Sequence, residues 1–260
     1  MHIIDDGNET YVGTGGRKFD PALPAVVFLH GAGLDHSVWA LLARAFAHHG
    51  FGVLAPDLPG HGRSAGAPLA TIAALADWTA ALVDAAGASK ARLVGHSMGS
   101  LIALETAARH PHKVSGLGLI ATAAAMTVSA DLLDAAKAND HAAIDMVAIW
   151  GNGFHATIGG SLAPGIWMLG GAERLLERAP PGVLFADLSA CNAYRDALAA
   201  AAKVTVPAAV ILGSRDLMTP LKAGKAIAAA IPAGRVTVLD GAGHMLMSER
   251  PEEVLAALRV

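Results

Sequence analysis

A chain of 260 residues can hold one large α/β domain, or a core domain with an inserted segment. With 53% hydrophobic and 16% charged residues it has material for a sizeable core, which excludes a disordered chain. The formal charge of −3 offers no basic stripe for nucleic acid, and the single cysteine, Cys191, excludes an internal disulfide framework and points to a reducing, cytoplasmic setting.

The start, Met1 to Gly7, lacks the basic end and apolar core of a secretory leader, so none is expected. No apolar run approaches the ~18 residues of a membrane span. Val26 to Leu29 reads as a buried strand, followed by the small-residue run His30-Gly31-Ala32-Gly33 and a helix from Trp39 to His49. Val53 to Ala55 reads as the next strand, then comes a helix from Ile72 to Ala86. The strand at Arg92 to Val94 runs into Gly95-His96-Ser97-Met98-Gly99 and a helix from Ser100 to His110. Leu117 to Ala121 reads as a strand too. From Thr122 to Val204 the rhythm breaks into irregular helical stretches punctuated by Gly159-Gly160, Pro164-Gly165, Gly170-Gly171 and Pro180-Pro181. The strand at Ala209 to Leu212, a helix from Leu221 to Ile231, the strand at Val236 to Leu239 and a helix opened by Pro251-Glu252-Glu253 complete the chain. Apolar strands alternating with helices predict an α/β fold, with a mostly parallel central sheet covered by helices on both faces. The expected organisation is a core of residues 1–121 and 205–260 with a helical cap, or lid, at 122–204.

Ser97 sits where a strand must turn sharply into a helix. Such an elbow exposes the hydroxyl and crowds the backbone two residues to either side, where Gly95 and Gly99 stand. Gly99, Ala103 and Ala107 give the following helix a small face with which to lie close on the sheet. A serine hydroxyl needs a base to take its proton, and that base needs an acceptor to fix its tautomer. Asp216 follows the strand at 209–212 and His244 the strand at 236–239, so the order is Ser, Asp, His, with all three beyond strand carboxyl ends. Acyl transfer also needs donors for an oxyanion, and the N–H groups of Ala32 and Met98 are the candidates.

These motifs resemble the α/β-hydrolase superfamily, in particular its small esterase, lactonase and cofactor-free perhydrolase-like members. The resemblance runs from His30-Gly31-Ala32-Gly33 and Trp39, through Asp57-Leu58-Pro59-Gly60-His61-Gly62-Arg63-Ser64 and the elbow, to Asp216 and Gly243-His244-Met245. It implies an oxyanion hole from the Ala32 and Met98 backbone, and a structural role beside the site for residues 57–64. Serine at the elbow separates the chain from dehalogenase-like and epoxide-hydrolase-like members, which carry aspartate there, and from dienelactone-hydrolase-like members, which carry cysteine. Met98 stands where iminopeptidase-like members usually carry tryptophan. What is expected is hydrolysis of a carboxyl ester, lactone or thioester through an acyl-enzyme. A C–C bond hydrolase, an acyltransferase, or a ligand-binding protein that has kept the fold are the alternatives.

Gly151-Asn152-Gly153-Phe154-His155-Ala156 imitates a dinucleotide fingerprint, but Thr157-Ile158-Gly159-Gly160 opens no helix to receive a pyrophosphate. His48-His49 and His110-Pro111-His112 close helices and lack metal-ligand spacing, so neither metal nor cofactor is expected. Gly31, Met126, Trp150 and Trp167 are the candidate substrate-binding residues, and Met146 and Met168 could also line an acyl pocket. The segment lacks a concentrated basic patch, with Arg174 and Arg178 the nearest to one. The expected partner is therefore a small, uncharged and fairly apolar ester, with no nucleic acid and no membrane; oligomeric state is left open.

Overall fold

The computed structural model describes residues 1–5, 7–160, 165 and 167–259. Strands β1 (His2–Asp5) and β2 (Asn8–Gly13) form an antiparallel hairpin. Then come β3 (Ala25–Leu29), a 3₁₀ turn at His36–Trp39 running into α1 (Ala40–His48), β4 (Gly52–Pro56) and α2 (Ile72–Ala85). These are followed by β5 (Ala91–His96), α3 (Met98–Arg109) and β6 (Val114–Ile120). The insertion carries α4 (Ala130–Ala138), α5 (His141–Gly151), α6 (Phe154–Thr157), α7 (Met168–Leu176), α8 (Val183–Ala193) and α9 (Ala197–Ala202). The chain ends with β7 (Ala208–Gly213), α10 (Leu221–Ala230), β8 (Gly234–Leu239), α11 (Leu246–Glu249) and α12 (Pro251–Leu258).

Among the described residues, eight strands join in one sheet, ordered β1-β2-β4-β3-β5-β6-β7-β8. β2 runs antiparallel to both of its neighbours, β1 and β4; β3 to β8 pair in parallel. Strands β3, β4 and β7 are buried along their whole length, as their unbroken apolar sequences require, whereas the edge strand β8 is largely exposed. Alternation divides the core. Val27, Leu29, Leu93 and Val210 meet α2, α3 and α10 through Leu75, Leu82, Leu101 and Ile227. Val26, Phe28, Val53 and Ile211 meet α1 and α12 through Leu42, Phe46, Val254 and Leu258. Phe28, Trp39 and Phe46 stack at ring separations of 5.1 and 5.4 Å, and burying each such side chain contributes roughly 1.5–3 kcal/mol. No helix among the described residues is long and apolar enough to cross a membrane.

Strand order reverses about β3: the chain goes from β3 out to β4 on one side, then returns to β5 on the other. This reversal opens a crevice beyond the carboxyl ends of β3 and β5, the usual place for a site in such sheets. The hairpin β1–β2 is absent from the sequence reading, because only Ile3, Thr10 and Val12 of its buried positions face inward and no apolar run announces it. The insertion is also less uniform than expected. Ala197, Ala200, Ala201 and Val204 pack in the main core beside the α3 and α10 face, whereas Leu132, Ala136, Ala143 and Leu188 form a small cluster of their own.

Candidate active site

Ser97 follows β5 and precedes α3 with φ 53° and ψ −118°, a conformation that non-glycine residues seldom hold. The turn is held by its N–H, which donates to the Ile120 carbonyl at 2.9 Å, and by its own carbonyl, which accepts from the Ser100 N–H at 2.8 Å. A Cβ on Gly95 would run into the Gly99 carbonyl, and one on Gly99 into the Leu29 carbonyl. Glycine at both places is thus what lets α3 lie against β3 and β5 and raise Ser97 above them.

Asp216 and His244 come together from the ends of β7 and β8. The Arg215 N–H donates to the Ala242 carbonyl and the Ser214 N–H to the Leu239 carbonyl, joining the two loops. His244 Nδ1 lies 2.8 Å from Asp216 Oδ2, and both side chains are almost completely buried. Asp216 also accepts from the N–H groups of Met218 and Thr219, both at 2.8 Å, and from the Thr219 hydroxyl at 2.6 Å. Burial works against its charge, but the histidine and these donors hold the carboxyl below the usual aspartate range. A carboxylate with all its lone pairs engaged can do little but fix the imidazole, leaving Nε2 as the free face of His244.

The histidine loop is anchored to the insertion. The Gly151 carbonyl accepts from the N–H of His244 at 3.1 Å and of Met245 at 2.9 Å. Buried Glu249 accepts from the Gly243 N–H at 3.0 Å and the Gly153 N–H at 3.3 Å; its pKa is raised by burial, against the pull of those donors. His96, beside Ser97, is pushed down to about 3 by burial and by neighbouring His244, so it is neutral. Its Nε2–H donates to the His244 carbonyl at 3.0 Å.

Ser97 and His244 line one cavity of about 240 Å³, roofed by the insertion. Gly31, Ala32, Met126 and Trp150 also line it, together with Leu132, Val147, Leu176, Leu184, Leu188 and Cys191. The walls are thus largely hydrocarbon, and the polar groups gather at one end. No hydrogen bond joins the Ser97 hydroxyl to His244 among the described residues, and both residues line the cavity. The Ala32 and Met98 N–H groups take no hydrogen-bond partner among the described residues; Met98 opens α3, where the first N–H groups have none within the helix. Met98's side chain is fully buried in the core, so only its backbone reaches this region.

Trp167 does not line this cavity. Expected among the substrate-binding residues, it is 72% exposed and lines a separate groove with Arg174, Arg178 and Ser37. At the start of α7 its ring lies over Gly170, where any side chain would collide with it. Thr219, His96 and the cavity-lining stripe of α8 were not anticipated. Leu184, Leu188 and Cys191 are spaced i, i+4, i+7, a helical periodicity that could have revealed that stripe.

The loop at 57–64 is tied down by donors. Asp57 accepts from the His36 N–H at 2.8 Å, from His36 Nδ1 at 2.7 Å and from the Arg63 N–H at 2.9 Å. Asp35, His36 and Asp57 are close enough to suggest a metal cluster, yet these donors already engage the Asp57 oxygens, and Arg178 engages Asp35 at 2.6 Å.

A serine on a strained elbow facing a carboxylate-oriented histidine, on this sheet, defines the class: the chain belongs to the alpha/beta hydrolase family, whose model matches residues 26–257. Within it, the chain is a hydrolase acting on ester bonds. It is 36% identical over 245 residues to a pimeloyl-[acyl-carrier protein] methyl ester esterase of Chromobacterium violaceum, covering 90% of this chain and 92% of that one. It is similar in structure to the enol-lactonase from Burkholderia xenovorans LB400, with TM-score 0.88 and 27% identity over 100% of this chain and 98% of that one. A thermophilic esterase gives TM-score 0.81 and 28% identity over 100% and 95%.

Proposed function

We propose that this protein hydrolyses a small carboxyl ester or lactone with an apolar acyl part, in two steps through an acyl-enzyme. His244 takes the proton of Ser97, whose oxygen attacks the ester carbonyl. The N–H groups of Ala32 and Met98 receive the developing oxyanion, and His244 returns the proton to the leaving alcohol. A water then gives its proton to His244 and attacks the acyl carbonyl, releasing the acid and Ser97. Asp216 holds the imidazole and stabilises its charged form. In an apo enzyme the serine–histidine hydrogen bond commonly tightens only when substrate binds, which fits its absence here.

The observation that carries this reading is the single cavity that unites Ser97, His244 and Ala32 with hydrocarbon walls from the insertion. Those walls favour an uncharged acyl chain, and a methyl ester and an enol-lactone are what the names of two relatives give as their substrates. We take residues 1–121 and 205–260 as the core and the insertion as its cap, and a cytoplasmic setting fits the lone buried cysteine. Ser97→Ala should fold normally, lose labelling by a fluorophosphonate, and hydrolyse p-nitrophenyl esters with kcat at least ~10⁴-fold lower. Turnover near that of the parent by pure, folded variant overturns the mechanism.

A further inference from the structure

Helix α8 presents two faces with different chemistry. Leu184, Leu188 and Cys191 line the acyl cavity, while Asp187 points into protein and is 1% exposed. Asp187 Oδ2 accepts from the Gly33 N–H at 2.8 Å and from His61 Nε2 at 2.7 Å. The other ring nitrogen of His61 lies 3.0 Å from the Pro59 carbonyl, so both nitrogens of this buried ring face acceptors. Burial opposes charge on that ring, but the Asp187 carboxylate raises its pKa above the ordinary histidine value. Against it, at 4.9 Å between ring centres, packs His30, which burial and the His61 charge push down to about 4. Neutral His30 donates from Nδ1 to the Gly31 carbonyl at 2.9 Å and accepts at Nε2 from the Leu58 N–H at 3.0 Å. Three segments far apart in sequence are thereby joined: the loop at 30–33, the loop at 57–61, and α8.

Gly33 immediately follows Ala32, and its backbone, at φ +67°, lies so close to the cap that a Cβ there would be 3.0 Å from Leu184 and 3.1 Å from Leu176. The carboxylate that fixes Gly33 thus sits on the helix that lines the cavity. We propose that Asp187, with His61, is a positioning pair that holds the Ala32 N–H in register with the oxyanion by gripping the next N–H along the chain from the acyl-binding helix. The proposal rests on the assignment of Ala32 as an oxyanion donor. A buried carboxylate cannot drift without leaving both of its donors unpaired, which makes it a firmer tie than an apolar contact at the same place. A pair that merely secured the cap would act on binding of the acyl chain; a pair that sets the donor acts on the transition state.

The test is Asp187→Asn, which keeps the shape and removes the charge. One amide oxygen can still stand where Oδ2 accepts both donors, but its hydrogen bonds are weaker than the carboxylate's, and His61 loses the anion that supports a proton on both of its nitrogens. On a short ester such as p-nitrophenyl acetate, kcat should fall about 10–100-fold, part of the ~10²–10³ lost when an oxyanion donor is removed outright, with KM changing less than about threefold. A boronic acid, which forms a tetrahedral adduct on serine, should lose affinity by the same factor as kcat/KM. The carboxylic acid product should bind as before. His61→Gln should lose less, and the double variant should lose no more than Asp187→Asn alone. Unchanged kcat in folded Asp187→Asn, a loss confined to long acyl chains, or equal losses of boronate and product affinity would each overturn the proposal. If Asp187→Asn does not fold, His61→Gln and Asp187→Glu carry the same kcat and boronate measurements. An Ala32→Pro enzyme that folds with full kcat would instead remove the oxyanion assignment beneath it.

Discussion

Lowering the pH from 7 to 5 should destabilise the fold through His30 and His96. Both are fully buried, and both are held below the ordinary histidine value of 6.5: His30 at about 4 and His96 at about 3. In the unfolded chain each takes up a proton near 6.5, whereas in the folded protein each stays neutral at pH 5. The unfolded state therefore binds more protons across this window, and stability falls as pH falls. At pH 5 the protonation lies 1.5 units below 6.5, worth roughly 2 kcal/mol for each histidine and roughly 4 kcal/mol together. His61 acts in the opposite sense. Its raised pKa makes its contribution complete below 6.5 and lost as pH rises through the folded value, so acidification returns part of the loss. Asp216, held low, contributes above the unfolded value of 3.8 and loses that only in stronger acid, outside this window. Urea unfolding at pH 7, 6 and 5, followed by tryptophan fluorescence and by circular dichroism, measures the slope. His96→Asn should remove about half of it. Stability that is flat from pH 7 to 5, or a slope unchanged in His96→Asn, would refute the reasoning.

The two tryptophans of the insertion should separate cleanly. Trp150→Ala removes cavity wall and should raise KM about 5–30-fold for hexanoate or octanoate esters while sparing acetate, the equivalent of about 1–2 kcal/mol of apolar contact; Trp167→Ala, outside the cavity, should leave both unchanged, as steady-state kinetics on an ester series would show. Gly99→Ala drives a methyl into the Leu29 carbonyl and should lower the melting temperature by at least about 5 °C or prevent folding, whereas a variant that melts with the parent would mean that α3 is free to move off the sheet.

The strands before Ser97 and Asp216 were legible because a parallel strand buried on both faces must be largely apolar. β8, the exposed edge strand before His244, was instead legible from its β-branched Val236-Thr237-Val238 run; each of the three is followed by a turn that holds glycine. The order of the three residues, with those endings, was enough to bring Asp216 and His244 to one place. The insertion was less legible because its contacts depend on helix crossings. Trp167 and Trp150 look alike in sequence, and only the fold separates them, with Trp150 lining the cavity and the Trp167 ring lying over Gly170 beside a different groove. Thr219 was missed because a threonine three residues beyond an aspartate is common in turns, and its hydroxyl matters only once the carboxylate it donates to is known. Asp187 and His61 are 126 positions apart, and nothing local in either marks a partner at that distance.

The carbonyl of Gly151, shared by the N–H groups of His244 and Met245, and the Glu249 carboxylate that spans Gly153 and Gly243 bear on how this enzyme can be recombined with its relatives. A chimera spliced at the sheet edges, at 121 and 205, would import a foreign roof and at the same stroke take away the backbone on which the general base hangs. The exchangeable module is therefore smaller than the insertion. A graft that keeps residues 151–153 and α9 of the recipient, and swaps only the helices that shape the acyl wall, can change which esters enter while the histidine stays where Asp216 holds it.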